Sequence, residues 1–279
     1  MRILVTNDDG IGSLGLHALA NAMRPFGDVT VVAPASEYSG SGASLGTLTF
    51  EDPVARPQEI EALAGCTTWS ISGPPALCVM YAQLGAFGDP FDLIVSGINP
   101  GQNVGWSVYH SGTIGAALTG RNRGSSGLAV SMGFNGKDVE GQTWGQIVDG
   151  MIWDTAATVA ARIVEGMIAS PPPKPSVINC NVPNLPLEEL NGWSMATVGS
   201  EPPRKLVTGS LTPEDPDDEG ERFRLTMDWG EAGAVLPGTD AHLVREGVVS
   251  MSWLGDLSDT TPDAGEHAAV ASRLDDLLG

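Results

Sequence analysis

Over residues 1–200, short β-branched runs alternate with amphipathic stretches, the pattern of consecutive β-α-β units. The first apolar run, Arg2–Thr6, leads into a helix predicted over Ser13–Pro25, with Leu14, Leu16, Leu19, Ala20 and Met23 gathered on one side. Val29–Ala33 reads as a second strand, stopped at Pro34, and Thr67–Ile71 as a third. Pro75–Leu84 reads as a helix with proline in its first turn, where the missing N–H costs nothing. Phe91–Ser96 is a continuously apolar strand that ends in Gly97-Ile98-Asn99. A helix beginning near Ser111-Gly112-Thr113, a strand over Leu128–Met132, one long helix over Thr143–Ala169 and a strand over Ser176–Asn181 complete the series. Ala35–Gly46 is rich in Ser and Gly and too long for an ordinary connection, so it reads as a functional loop.

The pattern changes after Ser200. The acidic run Pro213–Glu221 lies between Arg204–Leu211 and Arg222–Trp229, which predicts a projecting β-hairpin with a solvated acidic tip. Val248–Trp253 reads as a further strand and Gly265–Leu278 as a short amphipathic helix. The expected organisation is an α/β core over residues 1–200, and a hairpin with a C-terminal strand and helix over 201–279. The second part buries little apolar surface by itself and so points to subunit contacts.

Composition narrows the class. Of 279 residues, 42% are hydrophobic, enough for a sizeable core; 34 acidic against 14 basic residues give a formal charge of −20. Such a surface repels nucleic-acid polymers and anionic membranes, leaving a small-molecule substrate as the expected partner. Cys66, Cys78 and Cys180 are widely spaced with no C-x-x-C pattern, so free thiols in a reducing compartment are expected. Arg2 leads straight into a strand, without the n-region and h-region of a secretion signal. Met151–Ala169 carries Asp154, Arg162 and Glu165 and cannot cross a membrane. A cytoplasmic protein is the expectation.

The chemistry gathers at strand ends. In open α/β sheets ligands bind beyond the carboxyl ends of the strands, and Asp8-Asp9 follow the first strand directly. Adjacent carboxylates repel unless a cation or a shared proton neutralises them. With oxygen donors and no sulfur nearby, Mg²⁺, Mn²⁺ or Ca²⁺ is the fitting cation. Ser39 follows the second strand, Asn99 follows Phe91–Ser96, and Ser111-Gly112-Thr113 open a helix whose free N–H groups suit an anion. A cation beside an anion hole is the arrangement phosphoryl chemistry requires. Taken singly, each group also has a structural reading: Asp8-Asp9 as a turn or cap pair, Ser111 and Thr113 as caps, Asn99 and Asn103 as turn formers, and His110 as a half-buried structural histidine.

These residues lie in segments that resemble one family. TNDDGI at the start, VVAP with a following serine, SGIN-x-G-x-N-x-G, HSGT-x-x-AA, the Asn179-Cys180-Asn181-Val182-Pro183-x-Leu185-Pro186 stretch, and GTD followed by EG-x-VS are similar, in order, to SurE, the survival-protein 5′-nucleotidases. The resemblance covers about residues 1–254. It implies a Rossmann-like three-layer core with a mostly parallel sheet, and dimers or tetramers joined through a protruding hairpin and C-terminal segment. It also implies a divalent-metal-dependent phosphomonoesterase acting on nucleoside 5′-monophosphates, with 3′-monophosphates and short polyphosphate as further substrates. Carried over by motif, Asp8, Asp9, Ser39 and Asn99 become metal ligands; Asp8, Asp9 and Asn103 become catalytic; Asn103, His110, Ser111, Gly112 and Thr113 lie at the phosphate. The chain departs from the family at Ala35, at Glu37 and Tyr38, at Leu77, at Thr119 and at Ser252-Trp253. A homologue that binds metal but has weak or no catalysis is the alternative these departures raise.

Overall fold

The computed structural model describes residues 1–46, 52–134, 143–200, 204–217, 220–255, 268 and 270–274. Among the described residues the named elements follow one another as β1 (Arg2–Thr6), α1 (Leu14–Met23), β2 (Asp28–Pro34), β3 (Ala55–Pro57), β4 (Thr67–Ile71), α2 (Pro75–Gln83), β5 (Leu93–Pro100), α3 (Gly112–Asn122), β6 (Ser126–Met132), α4 (Trp144–Asp149), α5 (Trp153–Ala169), β7 (Val177–Val182), β8 (Trp193–Met195), β9 (Arg204–Asp217), β10 (Gly220–Ala232), α6 (Asp240–Arg245) and β11 (Val249–Leu254). Nine strands form one sheet in the order β3-β4-β2-β1-β5-β6-β7-β11-β8, and β9 and β10 form a separate two-stranded ribbon. β4, β2, β1, β5, β6 and β7 are mutually parallel, while β3 and β11 run antiparallel to their neighbours β4 and β7.

Strand alternation builds the layers. In β1, Ile3 and Val5 point to one face and join Leu16, Leu19, Met23 and Val164 of α1 and α5; Leu4 points to the other and joins Cys78, Val79 and Ala82 of α2 and Ala116 of α3. Helices therefore cover both faces of a sheet whose central strands are apolar on both sides, the expected three-layer α/β architecture. Because β1 continues to β2 on one side and β5 joins it on the other, the strand order reverses beside β1. In such sheets the ligand crevice opens at that reversal.

Several elements differ from the sequence expectation. The single helix over Thr143–Ala169 is two helices, because α4 stops at Gly150 and Asn184 clamps the break. Its Nδ2 donates to Gly150 O (3.1 Å) and its Oδ1 accepts from Ile152 N–H (2.9 Å). β5 does not end at Ser96 but continues through Gly97-Ile98-Asn99-Pro100, with an irregular register against β6 between Ser96 and Asn99. Gly97 makes this path possible: its φ is +131°, and a Cβ there would lie 2.2 Å from the carbonyl oxygen of Val130. In the hairpin, Pro213–Asp217 belongs to β9 rather than to a turn. Glu214 accepts from Arg222 (3.2 Å) and from Arg224 Nε (2.7 Å) across the ribbon, so opposite charges hold the acidic segment in register. Finally, the short β3, β8 and α6 had no clear apolar period to announce them. Residues 268 and 270–274 are helical, and the rest of the helix expected over Gly265–Leu278 lies outside the described residues.

After the hairpin the chain returns to the sheet. Thr197 bridges Thr239, α6 follows, and β11 inserts between β7 and β8. No helix among the described residues is long and apolar enough to cross a membrane.

Candidate active site

The carboxyl ends of β1 and β5 lie side by side. Thr6 pairs with Ser96, so Asp9 and Asn99 each stand three residues beyond the same rung of two adjacent parallel strands. On the other flank, the chain leaving β2 is tied back to β1. Tyr38 N–H donates to Asp8 O (2.7 Å) and Ile11 N–H to Pro34 O (2.8 Å), which brings the Ser/Gly-rich loop over the strand end.

Asp8 is buried, 3% exposed. Its Oδ1 accepts from Thr113 Oγ1 (2.7 Å), and the backbone N–H groups of Gly112 and Thr113 also serve the carboxylate. The N-terminus of α3 thus holds the Asp8 side chain, the preferred place for a carboxylate on a helix. Gly112 allows the approach, since a Cβ there would lie 2.8 Å from Asp8 Oδ2 and 2.8 Å from Ser41 Oγ. Burial nevertheless raises the Asp8 pKa, against the lowering effect of those hydrogen bonds. Asp9 is pushed up to about 8, first by burial and then by the charges of Asp8 and Glu37. Neither carboxyl is comfortable as an anion without a compensating cation.

The other expected residues take distinct places. Ser39 is exposed and its Oγ donates to Glu37 Oε1 (2.7 Å). Asn99 is half-buried, with Nδ2 donating to Gly101 O (2.6 Å), which leaves its carbonyl oxygen as the acceptor. Asn103 is buried in a cage of polar side chains. Its N–H donates to Asn181 Oδ1 (2.7 Å), its Nδ2 to Ser131 Oγ (2.9 Å), and its carbonyl accepts from Asn179 Nδ2 (3.0 Å) and Asn181 Nδ2 (3.1 Å). Ser111 caps α3, accepting from Ile114 N–H (3.1 Å). Thr113 is fully buried with its hydroxyl turned to Asp8. His110 is exposed at the rim, not half-buried as a structural histidine would be. Asp8, Asp9, Gly112 and Thr113 come together; Asn103 belongs to a neighbouring network; Ser39 follows β2, and Asn99 stands near the end of β5, the two strands that flank β1.

Several residues at the site escape sequence reasoning. Asn7 is fully buried, donates from Nδ2 to Gly10 O (3.0 Å), and its Oδ1 has no partner. Ser41 Oγ is buried without a partner beside Asp8 and Gly112. In a loop of serines and glycines nothing distinguishes Ser41, whereas the i, i+2 spacing of Asn179 and Asn181 places both on one face of a strand and could have flagged the cage. Asp240, in the GTD segment, is fully buried and accepts from Gly105 N–H (2.9 Å), Gly199 N–H (3.0 Å) and Ala241 N–H (2.9 Å).

This oxygen-only set fits a hard divalent cation. Asp9 Oδ2 is buried with no hydrogen-bond partner, an acceptor free to bind a cation, and Asn7 Oδ1 and Ser41 Oγ are orphaned at the same end of the sheet. Among the described residues no cluster of three or more His, Cys, Asp or Glu side chains could hold a metal. The candidate set has two carboxylates and is completed by hydroxyl and amide oxygens. Of the departures, Leu77 is buried in α2 and Thr119 Oγ1 bonds back to Gly115 O (2.8 Å) within α3. Both are absorbed into packing.

A family model described as survival protein SurE matches residues 3–205. The 5′-nucleotidase SurE of Marinobacter nauticus is 35% identical over 252 residues, covering 90% of this chain and 88% of that protein. The crystal structure of SurE protein from Aquifex aeolicus superposes with a TM-score of 0.70 at 30% identity, covering 93% of this chain and 95% of that one.

Proposed function

The chain belongs to the SurE family, and on that premise we propose that it is a divalent-metal-dependent phosphomonoesterase hydrolysing nucleoside 5′-monophosphates. The observation that carries this reading is the Asp8-Asp9 pair at the strand-order reversal, Asp8 buried and Asp9 half-buried with its Oδ2 enclosed and left without a partner. Asp8, Asp9, Ser39 and Asn99 would hold the cation, Mg²⁺ or Mn²⁺, with Ca²⁺ as a further occupant. When bound, it neutralises charge on the phosphoryl group and acidifies water.

The chain's own residues do the positioning. Thr113 and the first N–H groups of α3 fix the Asp8 carboxylate, so one ligand is oriented before any substrate arrives. The Asn103 amide gives one hydrogen to Ser131 Oγ and keeps a second, which the proposal assigns to a phosphoryl oxygen. His110, Ser111 and Gly112 border the place where the phosphate would sit. The free thiols Cys66, Cys78 and Cys180 suit a reducing, cytoplasmic setting.

Assembly is part of the proposal. Leu211 and Leu225 face each other across the ribbon, and Phe223 and Met227 lie on the same face as Leu225. They are 66%, 78%, 50% and 67% exposed. An isolated two-stranded ribbon is marginal in water, so we assign residues 201–279 a role in a homodimer or homotetramer.

The test is phosphate release from nucleoside 5′- and 3′-monophosphates with Mg²⁺, with Mn²⁺ and with chelator. Metal-dependent release that is abolished in Asp9→Asn is expected. No release from any nucleotide by a protein that still binds Mn²⁺ in calorimetry would move the assignment to a non-catalytic homologue.

A further inference from the structure

Between the amide cage and the N-cap of α3, residues 105–109 form a short 3-10 helix. Such a helix has three residues per turn, so side chains at i and i+3 lie one above the other. Positions i and i+3 here are Trp106 and Tyr109, both aromatic and respectively 56% and 73% exposed. Two large rings carried one 3-10 period apart on a short segment, both left in water, are an expensive arrangement for a segment that could carry polar residues.

The turn is rigidly placed. At its start, Gly105 N–H is held by Asp240 Oδ2 (2.9 Å), and Ser107 Oγ accepts from Val104 N–H (2.9 Å) while donating to Val104 O (2.6 Å). At its end, the His110 carbonyl accepts from Gly42 N–H (3.0 Å), and a Cβ on Gly42 would lie 3.0 Å from the carbonyl oxygen of Tyr109. The turn is therefore stitched to the same Ser/Gly-rich loop that carries Ser39 and Ser41. Ser111 follows two residues after Tyr109, and at about 2 Å per residue both rings are attached within about 10 Å of the phosphate end of α3.

We propose that Trp106 and Tyr109 form a stacking platform for the base of a nucleoside monophosphate whose phosphate lies at Asp8, Asp9 and the start of α3. The inference rests on the phosphomonoesterase reading above and deepens it, making nucleotides preferred over phosphomonoesters that lack a base. Rings accept any base, because every base has a π-face, so the platform selects the class and not its member. A macromolecular partner fits less well, since a stable interface needs about 800 Å² on each side, far more than two rings provide.

The experiment compares kcat/KM for nucleoside 5′-monophosphates with that for ribose 5-phosphate, the same ester without a base, in the wild type, Trp106→Ala, Tyr109→Ala, Trp106→Phe and Tyr109→Phe. The wild type is expected to prefer the nucleotide. Each alanine variant should reduce that preference by about 5- to 150-fold, chiefly through KM, and each phenylalanine variant should restore most of it. A wild type without preference, or alanine variants that keep it, would overturn the platform. So would a change in sedimentation with the preference intact, which would assign the rings to a subunit contact. If the wild type releases phosphate from neither substrate, the phosphomonoesterase reading falls alone. Calorimetric binding of adenosine monophosphate and ribose 5-phosphate then decides the platform, supporting it if the nucleotide binds more tightly and the margin is lost in Trp106→Ala, overturning it if the two bind equally.

Discussion

Asp9 is the residue at which stability and function pull in opposite directions. Burial and the nearby charges of Asp8 and Glu37 lift its pKa from the ordinary 3.8 to about 8, and burial lifts Asp8 as well. The folded chain therefore holds protons that the unfolded chain releases between these values. The stability contributed is fully present below the unfolded pKa and is lost as pH rises through about 8. Metal-free protein should show a Tm that falls as pH rises across this window. Saturating Mn²⁺ should remove most of the slope, and Asp9→Asn should flatten it without metal. A flat profile for the metal-free wild type, measured by scanning calorimetry, would contradict the burial argument. Thr113 makes a second test, because its hydroxyl serves Asp8 and not solvent. Thr113→Val should cost about 1–3 kcal/mol and depress turnover, while Thr113→Ser keeps both near the wild type. Sequence motifs placed both residues at the site, but Thr113 was expected at the phosphate. That its hydroxyl turns to a carboxylate more than a hundred positions away depends on the close approach that Gly112 permits, which no local pattern shows.

Among the elements, legibility tracked periodicity. β1 was found with its ends intact because its continuous apolar run, Ile3-Leu4-Val5, is buried on both faces of the sheet. β5 was cut short at Ser96 because glycine and asparagine usually end strands, whereas here Gly97 sits against the Val130 carbonyl where any Cβ would collide. The helix over Thr143–Ala169 was expected whole since its apolar period runs across Gly150; the side chain that divides it, Asn184, comes from a different segment. α6 is too short to show an apolar period of its own. It is six residues long, and its importance is the long-range work of Asp240 at its first position. That side chain accepts three N–H bonds while fully buried. Asp240→Asn places an amide donor against a backbone donor and should cost about 1–3 kcal/mol. Because one of those bonds fixes Gly105, the variant should also raise KM for nucleotides. Unchanged KM together with a lowered Tm would reduce Asp240 to a purely structural role.

At the scale of the molecule, two features dominate: a charge of −20 and a ribbon whose apolar face lies open in the single chain. Mutual repulsion would oppose association, more so at low salt, so in the proposed oligomer the ribbon would supply the apolar contact that overcomes it. Leu225→Asp alters a residue that is 78% exposed and should leave the protomer folded while shifting sedimentation to a smaller species; an unchanged sedimentation coefficient would argue against the ribbon as the subunit contact. The carboxylate of Asp240 adds a consequence. One of its oxygens holds Gly199, just before the ribbon's base, and the other holds Gly105, at the threshold of the proposed base platform. A single side chain therefore connects the ribbon proposed to meet a neighbouring subunit with the turn proposed to meet the nucleotide. On those two assignments, coupling through this side chain predicts reciprocal effects: nucleotide should favour the oligomer, and on dilution each protomer should lose its grip on substrate before it loses its fold.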